Sequence, residues 1–303
     1  MSRALRLLAV TTVVVALASS CLVWRNQWRH TVAVRVADDV AYIDDGDDKH
    51  RLDVFAPAGA SSGAPLPVVI FVHGGWWRAG DRSYYEPVVG LYGNVGTALA
   101  DMGVVTVIPS YRLWPQISSY TQQLDDLAAV IAHTKKHIAD VGGDPSRIFL
   151  AGHSAGGHLV ALLGAGPGQL TSRGLSATDI KGVIAISGIY DIAVTAAAAD
   201  AEEQATFWTP FFGTPAQQAA ASPMSSFVSS SMPFLFLVGG ADYKSCLREY
   251  ATVQTLFADN HRARFASTSG NTHEDMVLEV GTVDDDVGLR IAAFASVVNV
   301  QKR

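Results

Sequence analysis

Short apolar runs alternate with helical patterns from about residue 32 onward, and this alternation limits the fold more than any other feature of the chain. Glycine, proline and polar residues bound each run, as they bound strands that are buried on both faces of a sheet. Six runs fit this description: Val68–Val72, Val104–Ile108, Ile148–Ala151, Val183–Ile186, Phe234–Val238 and Arg264–Thr268. Between the second and third runs, apolar residues from Leu124 to Ile138 keep helical spacing and predict a crossover helix. Repeated strand, helix and strand predict an α/β fold, with a mostly parallel sheet and helices on both faces.

Upstream of these runs, Val40–Ile43 and Arg51–Phe55 flank a polar turn and predict an antiparallel hairpin. The chain has 303 residues, of which 49% are hydrophobic and 17% charged, so it can bury a large core. We therefore predict one catalytic domain over residues 25–303. An alanine-rich segment and the aromatic residues after it predict a small cap inserted at 192–231.

Charge balance and cysteine content narrow the classes of function. The chain carries 28 acidic and 22 basic residues, a formal net charge of −6, without a run of lysine or arginine, so no nucleic-acid partner is expected. Its two cysteines, Cys21 and Cys246, provide neither a disulfide framework nor a zinc site built from thiolates. The sequence shows no metal-ligand motif and no phosphate-binding loop, so neither a metal nor a cofactor is predicted.

Residues 1–24 have the pattern of a targeting segment. Within them, residues 7–24 form an uncharged run of 18, the lower limit of about 18 for crossing a bilayer. Three interpretations stay open: a signal peptide cleaved near Ala18, an uncleaved anchor that ends at Arg25, and a lipoprotein acylated at Cys21. The segment predicts a membrane-anchored or exported protein, with association with a membrane through residues 7–24 where the segment is retained.

The string Gly152-His153-Ser154-Ala155-Gly156 lies between the predicted strand Ile148–Ala151 and a helical pattern that begins near His158. A serine at a sharp turn from strand to helix needs small neighbours, and such a turn exposes its hydroxyl to a base and a substrate. This placement predicts a nucleophile elbow at Ser154. A glycine-rich turn without chemistry is the alternative for the motif alone, so the partners of Ser154 must decide.

A second glycine-rich loop, His73-Gly74-Gly75-Trp76, follows the strand Val68–Val72. Its glycines permit a close backbone approach to a carbonyl oxygen that becomes negative during acyl transfer. We predict an oxyanion hole from the backbone of Gly74, Gly75 and Trp76, with Ala155 as a further donor. The alternative is a plain turn whose tryptophans pack in the core.

The serine also needs a base and an acid. His273 follows the last predicted strand, late in the chain, as the order serine, acid, histidine requires. Asp242 follows the strand Phe234–Val238 and is the predicted acid, while Asp191, after the preceding strand, is its rival. Histidines beside the motif glycines are expected to brace loops through hydrogen bonds, because a base must stand opposite the serine: His73, His153 and His158.

Aromatic residues predict an apolar pocket under the cap. Trp77, Trp114 and Trp208 are the candidate substrate contacts, and packing in the core is the competing interpretation for each.

Five motifs in fixed order resemble those of α/β-hydrolase carboxylesterases: Val69–Trp77, Ser110–Pro115, Gly143–Ile148, Gly152–Leu159 and Asn271–Asp275. The branch that the chain resembles includes hormone-sensitive-lipase-like esterases, prenylcysteine methylesterases and kynurenine formamidases. The resemblance implies an eight-stranded α/β-hydrolase fold with a small cap, and a triad of Ser154, Asp242 and His273. The chain departs from the lipase-like members at Trp76, where they carry a third glycine. In this respect its motif is closer to that of the methylesterases and formamidases.

These features predict a serine hydrolase that cleaves a carboxylic ester of a small or apolar substrate through an acyl-enzyme. Two alternatives stay open. One is an amide hydrolase of the arylformamidase type that uses the same triad. The other is a catalytically silent binding protein on the same fold.

Overall fold

A computed structural model of the protein describes residues 33–84, 90–258 and 261–297. Its centre is one sheet of eight strands in the order β1-β2-β4-β3-β5-β6-β7-β8. The bounds are β1 Ala33–Ala41, β2 Arg51–Pro57, β3 Leu66–Val72, β4 Val105–Pro109, β5 Gly143–His153, β6 Val183–Ile186, β7 Phe234–Gly239 and β8 Ala263–Thr268. Strand β2 pairs antiparallel with both β1 and β4, and every pairing from β4 to β8 is parallel. The predicted hairpin and parallel strands are confirmed.

Helices fill the connections between the strands. They are α1 Gly93–Asp101, α2 Tyr120–His137, α3 Ala155–Ala165, α4 Pro167–Thr171, α5 Ile192–Ala197, α6 Ala201–Glu203, α7 Thr209–Phe212, α8 Pro215–Ala220, α9 Lys244–Leu256, α10 Asp275–Leu278 and α11 Asp286–Val297. A π-helical turn at Gln204–Trp208 joins α6 to α7, and 3-10 turns lie at Ala60–Ser62, Ile138–Val141, Ala177–Asp179 and Pro223–Ser225. The crossover helix predicted between the second and third apolar runs is α2.

Both faces of the sheet are buried, which explains the continuous apolar runs. Val68 and Ile70 of β3 belong to a core layer shared with α2 and α3. Val69 and Phe71, the alternate residues of the same strand, belong to a second layer shared with α1 and α11. The α/β-hydrolase architecture predicted for the chain is therefore confirmed.

Residues 192–231 lie between β6 and β7 and contain the short helices α5 to α8. Four aromatic residues of this segment are almost fully buried in the core layer that holds α2 and α3: Phe207, Trp208, Phe211 and Phe212. The rings of this segment contact Trp77 and Trp114 in the loops after β3 and β4, so the segment predicted as a cap is an insertion that packs on these loops. The domain limits 25–303 and 192–231 stay predictions.

The predicted membrane-anchored or exported location is corrected. In the part of the chain that the structure describes, no helix is both long and apolar enough to cross a bilayer. Residues 1–24, on which the prediction of a signal or anchor and of lipidation at Cys21 depended, lie outside the described residues.

Candidate active site

Ser154 lies at the turn from β5 to α3, with φ 56° and ψ −120°. This left-handed φ is rare for a residue with a side chain and costs conformational energy, so the surrounding contacts must hold it. A Cβ atom at Gly156 would lie 2.2 Å from the carbonyl oxygen of Val72, which only glycine avoids. The amide of Ser154 donates to the carbonyl of Ile186 at 2.9 Å and ties the turn to β6. Ser154 therefore occupies a strained elbow at the carboxyl end of the sheet.

Asp242 follows β7 at the same edge and is buried. Its Oδ1 lies 2.8 Å from His273 Nδ1 and accepts from the amide of Tyr243 at 2.7 Å. Its Oδ2 accepts from the hydroxyl of Ser187 at 2.5 Å and from the amide of Gly239 at 3.4 Å. Burial is the largest influence on the pKa of Asp242 and alone would raise it, but the hydrogen bonds led by His273 and Ser187 outweigh burial and lower that pKa. The carboxyl group is thus held as a carboxylate facing His273.

The rival acid occupies a different site. Asp191 is the N-cap residue of α5, where its Oδ1 accepts from the amide of Val194 at 3.0 Å. Capping satisfies one of the unpaired amides at a helix start and accounts for an aspartate at this position. The structure brings Asp242, and not Asp191, to His273.

His273 lies between β8 and α10, and its carbonyl accepts a hydrogen bond from His153 Nε2 at 2.9 Å. Burial, followed by the neighbouring His273, lowers the pKa of His153 to about 3, so His153 is neutral at physiological pH. The residue before the nucleophile therefore braces the loop of the predicted base. Among the described residues, the hydroxyl of Ser154 forms no hydrogen bond with His273, so their contact belongs to the proposed mechanism.

The predicted oxyanion loop is built on a conformation that glycine permits. Gly75 has φ +114°, and a Cβ atom there would lie 2.1 Å from the carbonyl oxygen of Ala79. The amide of Gly74 donates to the hydroxyl of Tyr92 at 3.2 Å. Within the described residues, three amides beside the elbow have no acceptor: those of Gly75, Trp76 and Ala155. These free donors are what an oxyanion hole requires.

Buried polar groups hold this loop from behind. His73 Nδ1 donates to the carbonyl of Gly74 at 2.7 Å, and the hydroxyl of Tyr111 donates to the carbonyl of His73 at 2.8 Å. Burial lowers the pKa of His73 to about 4 and keeps the ring neutral. His158 bonds the carbonyl of Ala221 through Nε2 at 2.9 Å. The bracing roles predicted for the three histidines are confirmed.

The predicted substrate aromatics differ in exposure. Trp77 is fully buried and its indole nitrogen donates to His158 Nδ1 at 3.1 Å, while Trp208 is 1% exposed. Trp77 and Trp208 therefore pack in the core, as the competing interpretation expects. Trp114 is half-buried and packs on Phe207 and Phe211. Trp76, 43% exposed, presents its ring to solvent beside the free amides.

Three residues at the site carried no sequence signal: Ser187, Cys246 and Glu249. Asp242, Cys246 and His273 each place one ligand-type atom within 4.8 Å of the others, the one such group among the described residues. Burial raises the pKa of the Cys246 thiol, and Asp242 and His273 are already bonded to each other. A neutral thiol beside a hydrogen-bonded pair fits a catalytic site better than a metal centre, because a thiol must lose its proton to bind a metal.

Glu249 of α9 supports the loop after β6. Its Oε2 accepts from the amides of Tyr190 and Asp191 at 3.2 and 3.0 Å, and its Oε1 has no partner within the described structure. Glu249 is 3% exposed, and burial raises the pKa of its carboxyl group to about 7.

Glu249 makes stability depend on pH. Between about pH 4.5 and about 7 the folded protein keeps a proton that the unfolded chain has lost, so this group lowers the free energy of unfolding as pH rises. We expect a loss on the order of 3 kcal/mol across this range. Glu249→Gln is expected to abolish that loss in urea unfolding at pH 5 and pH 8, whereas Glu202→Gln, an exposed control, keeps it. An equal loss in the Glu249→Gln variant contradicts this assignment.

A mostly parallel eight-stranded sheet, with an elbow serine after β5, an acid after β7 and a histidine after β8, defines an α/β-hydrolase. The family profile described as BD-FAE matches residues 52–248, well over half of the chain. The chain belongs to the BD-FAE family.

Several relatives have esterase names. A probable isoprenylcysteine alpha-carbonyl methylesterase of Arabidopsis thaliana is 26% identical over 257 residues, covering 76% of this chain and 50% of that protein. The carboxylesterase NlhH of Mycobacterium tuberculosis is 39% identical over 98 residues, covering 32% of this chain and 28% of that protein. Esterase B of Lactobacillus rhamnosis, a solved structure, has a TM-score of 0.74 with 20% identity and 96% of each chain covered. The chain spans about half the length of this Arabidopsis relative and of a second isoprenylcysteine methylesterase from the same plant.

Proposed function

We propose that this chain is a serine carboxylesterase that hydrolyses an ester of a small or apolar substrate through an acyl-enzyme. The observation that carries the proposal is the 2.8 Å bond between His273 Nδ1 and a buried Asp242, at the sheet edge that also holds the elbow serine. Membership of the BD-FAE family and the esterase names of the relatives support the same activity. Those names do not support either alternative function, an arylformamidase or a catalytically silent binding protein.

The reaction runs in two steps. Asp242 accepts a hydrogen bond from the Nδ1–H of His273, so Nε2 of His273 is unprotonated and can act as a base. Nε2 takes the hydroxyl proton of Ser154 as the serine oxygen attacks the ester carbonyl. His273 then gives that proton to the departing alcohol, and the acyl group stays on Ser154. Water then attacks the acyl-enzyme while His273 takes a proton from it. His273 returns that proton to the oxygen of Ser154 as the acyl–serine bond breaks and the carboxylic acid leaves.

The amides of Gly75, Trp76 and Ala155 are the proposed donors to the negative oxygen of each tetrahedral intermediate. Gly74 is left out of this set, because its amide is engaged by the hydroxyl of Tyr92. Its role is instead to let the backbone approach the elbow closely. A Cβ atom at Gly74 would lie 3.1 Å from the Cβ of Ser154. One oxyanion donor is worth about 2.7–4 kcal/mol of barrier.

The tryptophan residues near the site have two proposed roles: direct contact with the substrate, and support from the core. Trp114 is the proposed direct contact under the cap, because its ring is partly accessible. The ring centroids of Trp77 and Trp208 lie 6.1 and 6.5 Å from that of Trp76, and the two buried rings support Trp76 from the core side. An apolar acyl or alkyl group would then lie against Trp76 and Trp114.

A substrate panel tests the proposed reaction. p-Nitrophenyl acetate, longer p-nitrophenyl esters, a prenylcysteine methyl ester and N-formylkynurenine are compared, with the Ser154→Ala protein as the blank. We expect turnover of at least one ester above the blank and none of N-formylkynurenine, because the named relatives are esterases. Faster hydrolysis of N-formylkynurenine than of every ester contradicts the proposal and favours the formamidase. The prenylcysteine ester tells whether the substrate named for the Arabidopsis relatives is shared.

A further inference from the structure

Ser187 is a buried serine directly after β6, and it bonds the carboxylate oxygen of Asp242 that does not face His273. Its hydroxyl donates to Asp242 Oδ2 at 2.5 Å, while Asp242 Oδ1 faces His273 Nδ1 at 2.8 Å. The two carboxylate oxygens therefore have separate partners. Rotation of the carboxylate would break both bonds at once.

The backbone of Ser187 is held in a strained conformation that directs this hydroxyl. Its φ is 49°, in the left-handed region that residues with a side chain seldom adopt. The amide of Ser187 donates to the carbonyl of Leu237 at 2.8 Å, and its carbonyl accepts from the Cys246 thiol at 3.5 Å. Both main-chain groups are thus fixed by β7 and α9, the elements on either side of Asp242. Strain that the surrounding structure maintains is typical of functional sites.

We propose that Ser187 is a positioning residue of the catalytic site, which fixes the Asp242 carboxylate so that Oδ1 holds His273 in the orientation and tautomer of the base. The proposal rests on the proposed esterase function. Ser187 touches neither the substrate nor the reacting atoms, and it acts through Asp242. A hydrogen bond to a charged group is stronger than one between neutral groups, and its loss leaves a buried carboxylate oxygen with one weaker partner, the amide of Gly239 at 3.4 Å.

The test compares two substitutions at Ser187 with a matched control. Ser187→Ala removes the hydroxyl and keeps the Cβ atom, and Ser187→Gly removes the hydroxyl and also relieves the positive φ. Ser230→Ala is the control, because Ser230 is a buried serine that donates one hydrogen bond, to the carbonyl of Gly164 at 3.0 Å, away from Asp242. Both Ser187 variants are expected to lose about tenfold in kcat with little change in KM. The control keeps wild-type kinetics.

The pH profile separates positioning from general loss of structure. Without Ser187 the carboxylate depends more on the imidazolium, so the acidic limb of kcat/KM is expected to move up by about half a pH unit. Five other titratable residues surround the Asp242–His273 pair, and all five are kept in every variant so that only the Ser187 hydroxyl differs: His153, Tyr190, Tyr243, Cys246 and Glu249. An acidic limb and kcat equal to wild type in both Ser187 variants overturn the proposal.

A spectroscopic readout keeps this proposal separate from the proposed function. The low-field proton resonance of the His273–Asp242 bond is recorded in wild type and in the variants, without turnover. We expect it to shift or broaden in Ser187→Ala and Ser187→Gly and to stay unchanged in Ser230→Ala. An unchanged resonance in folded Ser187→Gly overturns the positioning role even if the esterase activity is confirmed. If wild type hydrolyses no ester but the resonance shifts in the two Ser187 variants, only the proposed function is overturned.

Discussion

Replacing Ser154 with alanine is expected to lower kcat for p-nitrophenyl ester hydrolysis by about 10⁵-fold or more. The substitution removes the oxygen that forms the acyl-enzyme, while the oxyanion amides and the substrate pocket remain, so a small residual rate over water persists. Steady-state kinetics on the purified protein, with a thermal unfolding curve to verify the fold, measure the effect.

The matched control for this prediction is again Ser230→Ala, which removes one buried hydroxyl outside the site. It is expected to keep kcat and KM within twofold of wild type. If Ser154→Ala keeps a tenth or more of the wild-type kcat, Ser154 is not the nucleophile.

Replacing Asp242 with asparagine has the second largest expected effect, a fall in kcat of about 10⁴-fold. Asparagine keeps the shape of the side chain but removes the charge that stabilises the imidazolium, and it no longer selects the tautomer with the proton on Nδ1. Asp242 accepts hydrogen bonds from four groups, so the amide also loses acceptor capacity.

Asp191→Asn provides the comparison, because the same change is made in the rival acid. Asparagine is as good an N-cap as aspartate, so α5 and its capping bond to Val194 should be kept. We expect kcat within twofold of wild type for Asp191→Asn. Equal losses of activity in the two variants, or a larger loss at Asp191, would reverse the assignment of the acid.

The parallel sheet was predictable because its strands are buried on both faces. A strand such as β3, whose alternate residues enter two core layers, has no polar face, so it is visible as an uninterrupted apolar run. The motif residues were predictable for a related reason. Loops that follow parallel strands share one edge of the sheet, so the topology places the loops of Ser154, Asp242 and His273 at that edge.

Other features depend on contacts that one sequence does not display. Ser187 and Tyr92 are ordinary residues that act through a single hydroxyl, and their partners, Asp242 and Gly74, are 55 and 18 positions away in the chain. Helix α1 was not predicted, since it starts with glycine and carries a second glycine against the ring of Phe55. Propensity disfavours glycine inside a helix, and here tertiary packing decides.

The aromatic residues show the same limit. A tryptophan that lines a pocket and one that fills a core have the same sequence environment, and only the fold separates Trp76, exposed at 43%, from Trp77, fully buried. The engaged amide of Gly74 is a further example, because its partner Tyr92 belongs to another element.

Reaction with a fluorophosphonate probe, followed by intact-mass and peptide mass spectrometry, tests the central claim most directly. The activated hydroxyl of Ser154 is expected to take up one probe molecule per chain, and hydrolysis of p-nitrophenyl acetate is expected to stop in the same proportion. Ser154→Ala protein should take up none. A folded wild-type protein that takes up no probe at Ser154, or that keeps its esterase activity after full labelling of Ser154, contradicts the account.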